Sequence, residues 1–296
     1  MESLLGPAAR GLLIAFLVSV MVSVGLEVSA EEFPAVFRNK RLVIGALFAN
    51  FVVVPLLGLG ITKVLHMPTN VETGFLLLAA APGALFAINF TPKLQGGKAL
   101  AAALLFLLTL LSLLFTPPLA RVLLQLDRAL TFPYARAMGT LFLYIFLPLM
   151  VGLALNRWAH SLAEKLRKPV SICASVCFGL EMAFTATLKS AAMRNVGVNG
   201  FCAMVILVII SMMVGWLLGG PDDNTRGVLT VNTSLRNLTL CLAIAARSFP
   251  GEDVDVALIA FSTVMLLPNG LFTFYRVRRL KKRATEPIRA TVSSNL

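Results

Sequence analysis

The sequence predicts an all-α membrane protein in which about nine transmembrane helices form two inverted repeats, each with one broken helix. Three observations support this prediction. The composition is 58% hydrophobic and only 14% charged, with a mean hydropathy of +0.86, as is typical of polytopic membrane proteins. Apolar segments of about 20 residues recur along the whole chain. Two of these segments contain residues that interrupt helices.

Each predicted span is an apolar run about long enough to cross a bilayer. In chain order the spans are Gly11–Ser29, Leu42–Ile61, Val71–Phe90, Ala99–Leu119, Ala137–Leu155, Val170–Leu188, Val198–Leu218, Gly227–Ala246 and Val256–Phe274. The loops are short, so we predict one transmembrane domain over residues 1–285, followed by a basic and polar tail at 286–296. The first span has a rival interpretation as a signal peptide, because Arg10 precedes it and Val28-Ser29-Ala30 resembles a cleavage site.

The distribution of Lys and Arg predicts the orientation. With the C-terminus in the cytoplasm and the N-terminus outside, seventeen basic residues lie on the cytoplasmic side and eight lie outside. Seven of the seventeen lie between Arg276 and Arg289, so this C-terminal segment accounts for most of the difference. Topology therefore explains the net charge of +12, and no basic stripe with interleaved aromatic residues indicates nucleic-acid binding. We expect an integral protein of a bacterial inner membrane.

The eighth span is the most informative stretch of the chain. Its middle contains Asn232, Thr233, Ser234, Arg236 and Asn237. An Arg at mid-membrane depth costs at least about 2.5–3.5 kcal/mol, so it usually faces the protein interior or a water-filled cavity. Asn, Thr and Ser favour an interrupted helix, because their side chains compete for backbone hydrogen bonds. We interpret this span as a broken helix that lines a polar site; the alternative is a continuous helix in which Arg236 forms a structural pair.

A second break is predicted in the third span, where Pro82-Gly83 removes a backbone donor and loosens the helix. A plain proline kink is the alternative. Corresponding spans begin about 155 residues apart, which places this break opposite the break in the eighth span. The shift covers five spans, an odd number, so the two halves have opposite orientation. Interrupted helices at corresponding positions of two halves indicate the binding site of a transporter.

With these residues in place, the chain resembles the bile acid:sodium symporter superfamily along nearly its whole length. The residues that carry the resemblance are Gly25-Leu26, Phe33, Pro82-Gly83, Gly96 before the apolar run from Ala99, Asn237, Leu240 and Ala243. The resemblance implies two inverted five-helix repeats, divided into interleaved panel and core subdomains, with two unwound helices crossing in the core. Members with nine helices lack the first helix, and this chain is similar to them.

The departures from the family pattern concern the sodium site. Sodium-coupled members carry a glutamate and a glutamine where this chain has Asn232 and Arg236. After the first break those members carry a cluster of polar residues. In this chain the only polar residues near that position are Asn89 and Thr91. We predict that the Arg236 guanidinium takes the electrostatic place of a sodium ion. Because Arg stays protonated at accessible pH, it holds the unwound ends together or docks an anion.

Other polar residues have weaker interpretations. Glu181, in the middle of the sixth span, is predicted either to pair with Arg236, to carry a proton, or to form a structural ion pair. Asn50 in the second span is interpreted as an interhelical hydrogen-bonding residue, with a place in the site as the alternative. The four cysteines lie in apolar segments without a metal-ligand spacing, and no nucleophile–base pair indicates an enzyme. We expect no metal and no cofactor, apart from a sodium ion that the departures above argue against.

The resulting prediction is a secondary transporter of a small organic anion that works by alternating access at the crossing. Arg236 and the N-termini of the half-helices, whose dipoles favour negative charge, predict the anion. The resemblance implies sterol conjugates, small carboxylates or vitamin precursors. One alternative is a metalloid exporter of the same superfamily, which shares Arg-Asn in the second crossover but carries a cysteine where this chain has Ala79-Ala80-Ala81. Another is a membrane ligand sensor without transport.

Overall fold

The computed structural model describes residues 2–27, 39–83, 98–127, 134–188 and 190–293. The described chain is built from helices. These are α1 (Glu2–Glu27), α2 (Lys40–Phe48), the π-helical turn π1 (Ala49–Val53), α3 (Val54–Val64), α4 (Thr69–Ala79), α5 (Lys98–Asp127), α6 (Tyr134–Leu141), π2 (Phe142–Phe146), α7 (Leu147–Trp158), α8 (His160–Leu188), α9 (Ser190–Asn195), α10 (Gly197–Leu218), α11 (Asp223–Ser234), α12 (Leu238–Ser248) and α13 (Val254–Ser293).

Within the described residues, five continuous helical segments are long and apolar enough to cross a membrane. They are Lys40–Val64, Ala103–Leu124, Met138–Trp158, Gly197–Leu218 and Val254–Arg279. Gly11–Glu27 and Leu238–Ser248 are shorter apolar helices. The helical, membrane-spanning fold class is therefore confirmed, while the number of nine spans and the inverted repeat stay predictions.

The helices associate in two groups. A peripheral group consists of α1, α7 and α8, which pack against one another. A central group consists of α2 to α5 and α10 to α13, in which α10 packs along α11 and α4 packs along α13. Helix α6 contacts α5 and α12 of the central group and continues through π2 into α7, so it joins the two groups. The first predicted span thus lies within the bundle as α1, whereas the Val28-Ser29-Ala30 sequence lies outside the described residues.

The peripheral group is held together by a close approach of two backbones. A Cβ atom on Gly25 of α1 would lie 2.5 Å from the carbonyl oxygen of Leu149 in α7. In return, a Cβ atom on Gly152 would lie 2.5 Å from the carbonyl oxygen of Val22. Small residues allow such contact between helices in a membrane, where the hydrophobic effect does not drive helix association. The two glycines therefore determine how α1 and α7 cross.

The short helices on either side of the two breaks are buried along most of their length. Residues 71–83 around α4 are buried, and so are residues 227–245 across α11 and the start of α12. By contrast, the long helix α10 exposes Val198, Ile209 and Leu217 on its outer face. The long apolar helices therefore surround two interrupted helices and separate them from lipid.

Candidate transport site at the crossing of two broken helices

The two interrupted segments meet at the centre of the bundle. Pro82 and Arg236 form an isolated antiparallel β-bridge. Next to it, the Asn237 backbone N–H donates to the Ala81 carbonyl oxygen at 2.8 Å. The chain is extended at this point because both helices have ended, α4 at Ala79 and α11 at Ser234. The breaks that the sequence places at corresponding positions thus contact each other directly.

The first break leaves the last carbonyl groups of α4 without helical donors, because Pro82 has no N–H. Side chains of α5 satisfy two of the carbonyl groups in this region. The Thr116 hydroxyl donates to the Ala80 carbonyl at 2.9 Å, and the Thr109 hydroxyl donates to the Gly83 carbonyl at 3.0 Å. Gly83 has φ of +91°, and a Cβ atom there would lie 2.7 Å from the Thr109 backbone nitrogen. The first break therefore requires glycine at this position both for its backbone angle and for its contact with α5.

The second break is closed by a polar cap. After Ser234 the backbone becomes extended at Leu235, and α12 begins at Leu238. The Asn237 side-chain oxygen accepts a hydrogen bond from the Leu240 N–H at 3.1 Å, as an N-cap residue does. On the other side of the break, the Ser234 hydroxyl donates to the side-chain oxygen of Asn269 at 2.7 Å. The helix of the eighth span is therefore broken, and the continuous alternative is wrong.

The Arg236 side chain lies inside the crossing and is only 1% exposed. Its Nε donates to the Leu78 carbonyl at 3.0 Å. Its Nη1 donates to the Asn50 side-chain oxygen at 2.8 Å and to the Thr233 carbonyl at 3.3 Å. Its Nη2 donates to the Ala79 carbonyl and, at 3.5 Å, to the Asn50 carbonyl. A guanidinium has five N–H donors, and each of the five has an oxygen acceptor here.

The Asn50 carbonyl is available to Arg236 because of the π-helical turn. The Val54 N–H donates to the Ala49 carbonyl, one residue further back than in an α-helix. In this register the Asn50 carbonyl faces Pro55, which has no N–H to donate. The side chain of Asn50 is fully buried and also donates to the Ala46 carbonyl at 2.9 Å. The π-turn and Pro55 together direct two Asn50 oxygens towards one guanidinium.

The arrangement is a shell of oxygen atoms around a fixed cation. Three of the five oxygens are carbonyls near the C-terminal ends of α4 and α11, where the helix dipole favours positive charge. The other two belong to Asn50. Among the described residues, no carboxylate contacts Arg236. The positive charge is therefore stabilised by dipoles, as a hard cation is stabilised by a shell of carbonyl oxygens.

Two amide side chains beside this shell lack hydrogen-bond partners. The side-chain oxygen and nitrogen of Asn232 are both buried and unpaired in the described part of the chain. The side-chain nitrogen of Asn237 is likewise buried and unpaired there. A buried polar group without a partner costs about 1–3 kcal/mol, so such groups call for a functional explanation. These amides are able to donate to and accept from a ligand at the crossing.

The structure describes only some of the remaining predicted site residues. Thr233 is fully buried, and its hydroxyl accepts from the Asn50 side-chain nitrogen at 3.4 Å. Asn89 and Thr91 lie outside the described residues. Glu181 lies on α8, and its side chain also lies outside the described residues, so its pairing with Arg236 stays a prediction. No group of three or more potential metal-ligating His, Cys, Asp or Glu residues occurs in the described ranges.

Asn50 hydrogen-bonds between helices, as its position in an apolar span predicts, and its role is larger than that. It provides two of the five Arg236 acceptors. The sequence contains a signal for this role, because Pro55 follows Asn50 by five residues in an apolar span. In a π-turn, a proline at that spacing leaves the Asn50 carbonyl without a backbone donor. Asn269, which accepts from Ser234, has no comparable signal.

Comparisons with known proteins give one consistent result. A sequence model described as the Sodium Bile acid symporter family matches residues 14–214. The chain is 25% identical over 293 residues to "Uncharacterized sodium-dependent transporter YocS" of Bacillus subtilis (strain 168), covering 95% of this chain and 86% of that protein. It is 23% identical over 293 residues to "Probable sodium/metabolite cotransporter BASS3, chloroplastic" of Oryza sativa subsp. japonica, covering 93% and 67%. It is 24% identical over 274 residues to "P3 protein" of Homo sapiens, covering 85% and 56%.

Proposed function

The chain belongs to the sodium bile acid symporter family, and we propose that it is a secondary transporter that moves a small organic anion by alternating access at the helix crossing. The observation that carries this proposal is the meeting of two broken helices around the buried Arg236. Broken helices that meet at the centre of a membrane bundle form the binding sites of many secondary transporters. The family is one of membrane transporters of small organic substrates, so the protein is an integral membrane protein rather than an enzyme.

We propose that Arg236 is the resident cation of the crossing. Its guanidinium uses five donors on five oxygens, and no donor remains for a substrate. Of the two roles considered for Arg236, this geometry favours holding the unwound ends together over docking an anion. A sodium ion that required the same oxygens would have to displace a side chain that is tethered to the backbone and stays protonated. The residues around Arg236 therefore do not fit a sodium ion at this position.

Contact with the substrate then falls to the groups beside Arg236. Asn232 and Asn237 present buried amide atoms that have no partner in the described protein. Asn237 also begins α12, an 11-residue helix whose N-terminal end favours negative charge. Arg236 adds a positive potential at short range, even though its donors are occupied. These features support an anionic substrate held by amide hydrogen bonds.

The proposed absence of a sodium ion at this position has a consequence for energy coupling. Without a sodium ion at this position, the transporter exchanges substrates, follows the substrate gradient, or couples to another ion. A proton carried by Glu181 is one candidate for such coupling. We propose that the protein lies in a bacterial inner membrane, and the distribution of basic residues supports an orientation with the N-terminus outside.

Uptake into proteoliposomes tests the proposed function. A panel of radiolabelled sterol conjugates, monocarboxylates and dicarboxylates is presented with an inward sodium gradient, with potassium in its place, and with a pH gradient. We expect uptake of at least one anion at the same rate in sodium and in potassium. The Asn232→Leu variant provides the site control, and we expect it to lose uptake while remaining folded.

Three results would overturn parts of the proposal. Accumulation that requires sodium would show that other residues provide a sodium site. An absence of flux for every anion, together with binding of one of them, would favour the membrane sensor. Export of arsenite from loaded vesicles would favour the metalloid exporter, which shares the Arg236-Asn237 pair but has a cysteine near the first break.

A further inference from the structure

A second cationic cluster lies away from the crossing, where α10, α11 and α13 meet. Its centre is Trp216, one of only two tryptophans in the chain. The Arg226 guanidinium carbon lies 5.7 Å from the centroid of the Trp216 ring, and that of Arg276 lies 5.3 Å from it. One indole therefore contacts two guanidinium groups, each within the range of a cation–π interaction.

The two arginines differ in which of their N–H donors lack an acceptor. Arg276 is 2% exposed and donates to the side chain and the carbonyl of Asp223 at 2.9 and 2.6 Å, but its Nε is buried without a partner among the described residues. Arg226 is half-buried and uses its Nε on the Gly220 carbonyl at 2.6 Å. Its two Nη groups donate to no described residue. The cluster thus keeps unused cationic donors on Arg226, next to a buried donor on Arg276.

An apolar cleft begins at the same tryptophan. Its volume is about 260 Å³, and it is lined by Met212, Met213, Trp216, Leu217, Thr230 and Phe272. Met213 is 58% exposed and Leu217 is 75% exposed, so the cleft opens on the outer, lipid-facing side of α10. Trp216 and Phe272, which both line the cleft, meet edge to face. Trp216 therefore borders the apolar cleft as well as the two arginines.

The surroundings of the cluster are also basic. Arg278 and Arg279 are exposed on α13 just beyond Arg276. Lys40 and Arg41 begin α2, which reaches the same end of the bundle because Gly45 packs against Leu218. Among the described residues, the acidic groups near the cluster are Asp223, which pairs with Arg276, and Asp222, which caps α11. The described surroundings of the cluster therefore contain six basic side chains and two acidic ones.

We propose that this cluster and cleft form a binding site for an acidic phospholipid. The phosphate contacts Arg226 and the Nε side of Arg276, and one acyl chain occupies the cleft along Met213 and Leu217. Trp216 lies between the two parts, as tryptophans do at the boundary between headgroups and hydrocarbon. Basic pockets between transmembrane helices bind anionic lipid headgroups in this way. Neither the cluster nor the cleft includes a residue of the crossing, so the site does not depend on the proposed transport mechanism.

Quenching of tryptophan fluorescence by brominated lipids tests the site directly. The measurement uses a Trp158→Phe background, because Trp158 is 80% exposed and would respond to any lipid. The protein is reconstituted in phosphatidylcholine that contains increasing fractions of brominated phosphatidylglycerol or brominated phosphatidylcholine. We expect phosphatidylglycerol to associate at Trp216 at least about five-fold more strongly than phosphatidylcholine, since one cation near an anionic lipid contributes roughly that factor.

Two variants separate this site from a general effect of positive charge. Arg226→Gln is expected to reduce the preference for phosphatidylglycerol about five-fold. Arg247→Gln, at an exposed position at the end of α12, is expected to leave the preference unchanged. Equal quenching by the two lipids would overturn the proposal. So would a preference that survives in Arg226→Gln, because that result would assign it to the basic surface as a whole.

Discussion

The clearest perturbation of the crossing is Arg236→Gln. The substitution removes the charge and leaves a shorter side chain with two N–H donors in place of five. Since Arg236 donates to oxygens of Asn50, Leu78, Ala79 and Thr233, at least three acceptors lose their donor. Each buried acceptor that is left without a donor costs about 1–3 kcal/mol. Three such acceptors therefore predict a loss of at least about 3 kcal/mol.

The assay is equilibrium unfolding by sodium dodecyl sulfate in mixed micelles, followed by circular dichroism. A folded domain is typically stable by only about 5–15 kcal/mol, so the expected loss is large enough to measure. Arg236→Lys is a useful second variant, because lysine keeps the charge but has three donors and no planar fork. We expect its stability to lie between that of Arg236→Gln and that of the wild type.

Arg247→Gln is the matched control, since Arg247 is exposed and near the end of α12. A surface change of this kind usually alters stability by at most about 0.5 kcal/mol. If Arg236→Gln also stayed within that limit, the five hydrogen bonds would not be holding the crossing together, and the interpretation of Arg236 as its resident cation would be refuted.

Three further predictions concern neighbouring residues. Asn50→Leu should cost about 2–3 kcal/mol, and in a double-mutant cycle with Arg236→Gln the two costs should be less than additive, because both changes remove the bond between Arg236 Nη1 and the Asn50 side-chain oxygen. Gly83→Ala should destabilise the protein by more than about 1 kcal/mol in thermal unfolding. Gly60→Ala is the control and should not destabilise it, because the added methyl group would meet no atom within 4 Å. Asn232→Leu should raise the free energy of unfolding by about 1 kcal/mol and abolish uptake, because it removes unpaired buried atoms that we assign to substrate binding. Loss of stability with full uptake would contradict that assignment.

The sequence predicts the crossing well because its signals are local. Pro82 removes a donor wherever it stands in a helix, and Asn, Thr and Ser around Arg236 compete for backbone bonds in any environment. The cost of an unpaired Arg in a membrane likewise forces it towards the protein interior, where the structure places it. Such features depend on one residue and its near neighbours, so they can be interpreted without a fold.

The identity of the acceptors could not be predicted in the same way. Asn50 lies 186 residues from Arg236 in the chain, and only the packing of π1 against the crossing brings them together. The ends of a helix are also harder to predict than its apolar middle, because a helix such as α8 begins with polar residues that the apolar pattern does not include. The apolar pattern predicts a sixth span from Val170, but α8 begins at His160 and continues through Pro169. The pattern marks the membrane-embedded part of a helix and not its ends.

Sodium-dependent stability measures the central claim most directly, and it requires no knowledge of the substrate. Wild-type protein is unfolded thermally in sodium, potassium and choline chloride at equal ionic strength, beside the Asn232→Glu, Arg236→Gln double variant, which carries the residue types that the family resemblance implies for a sodium site. We expect the wild type to respond equally to the three salts. The double variant should gain about 1.4 kcal/mol in sodium alone at ten times its dissociation constant. A saturable stabilisation of the wild type by sodium and not by potassium would contradict the account, because it would show a sodium site beside a guanidinium that was inferred to replace it.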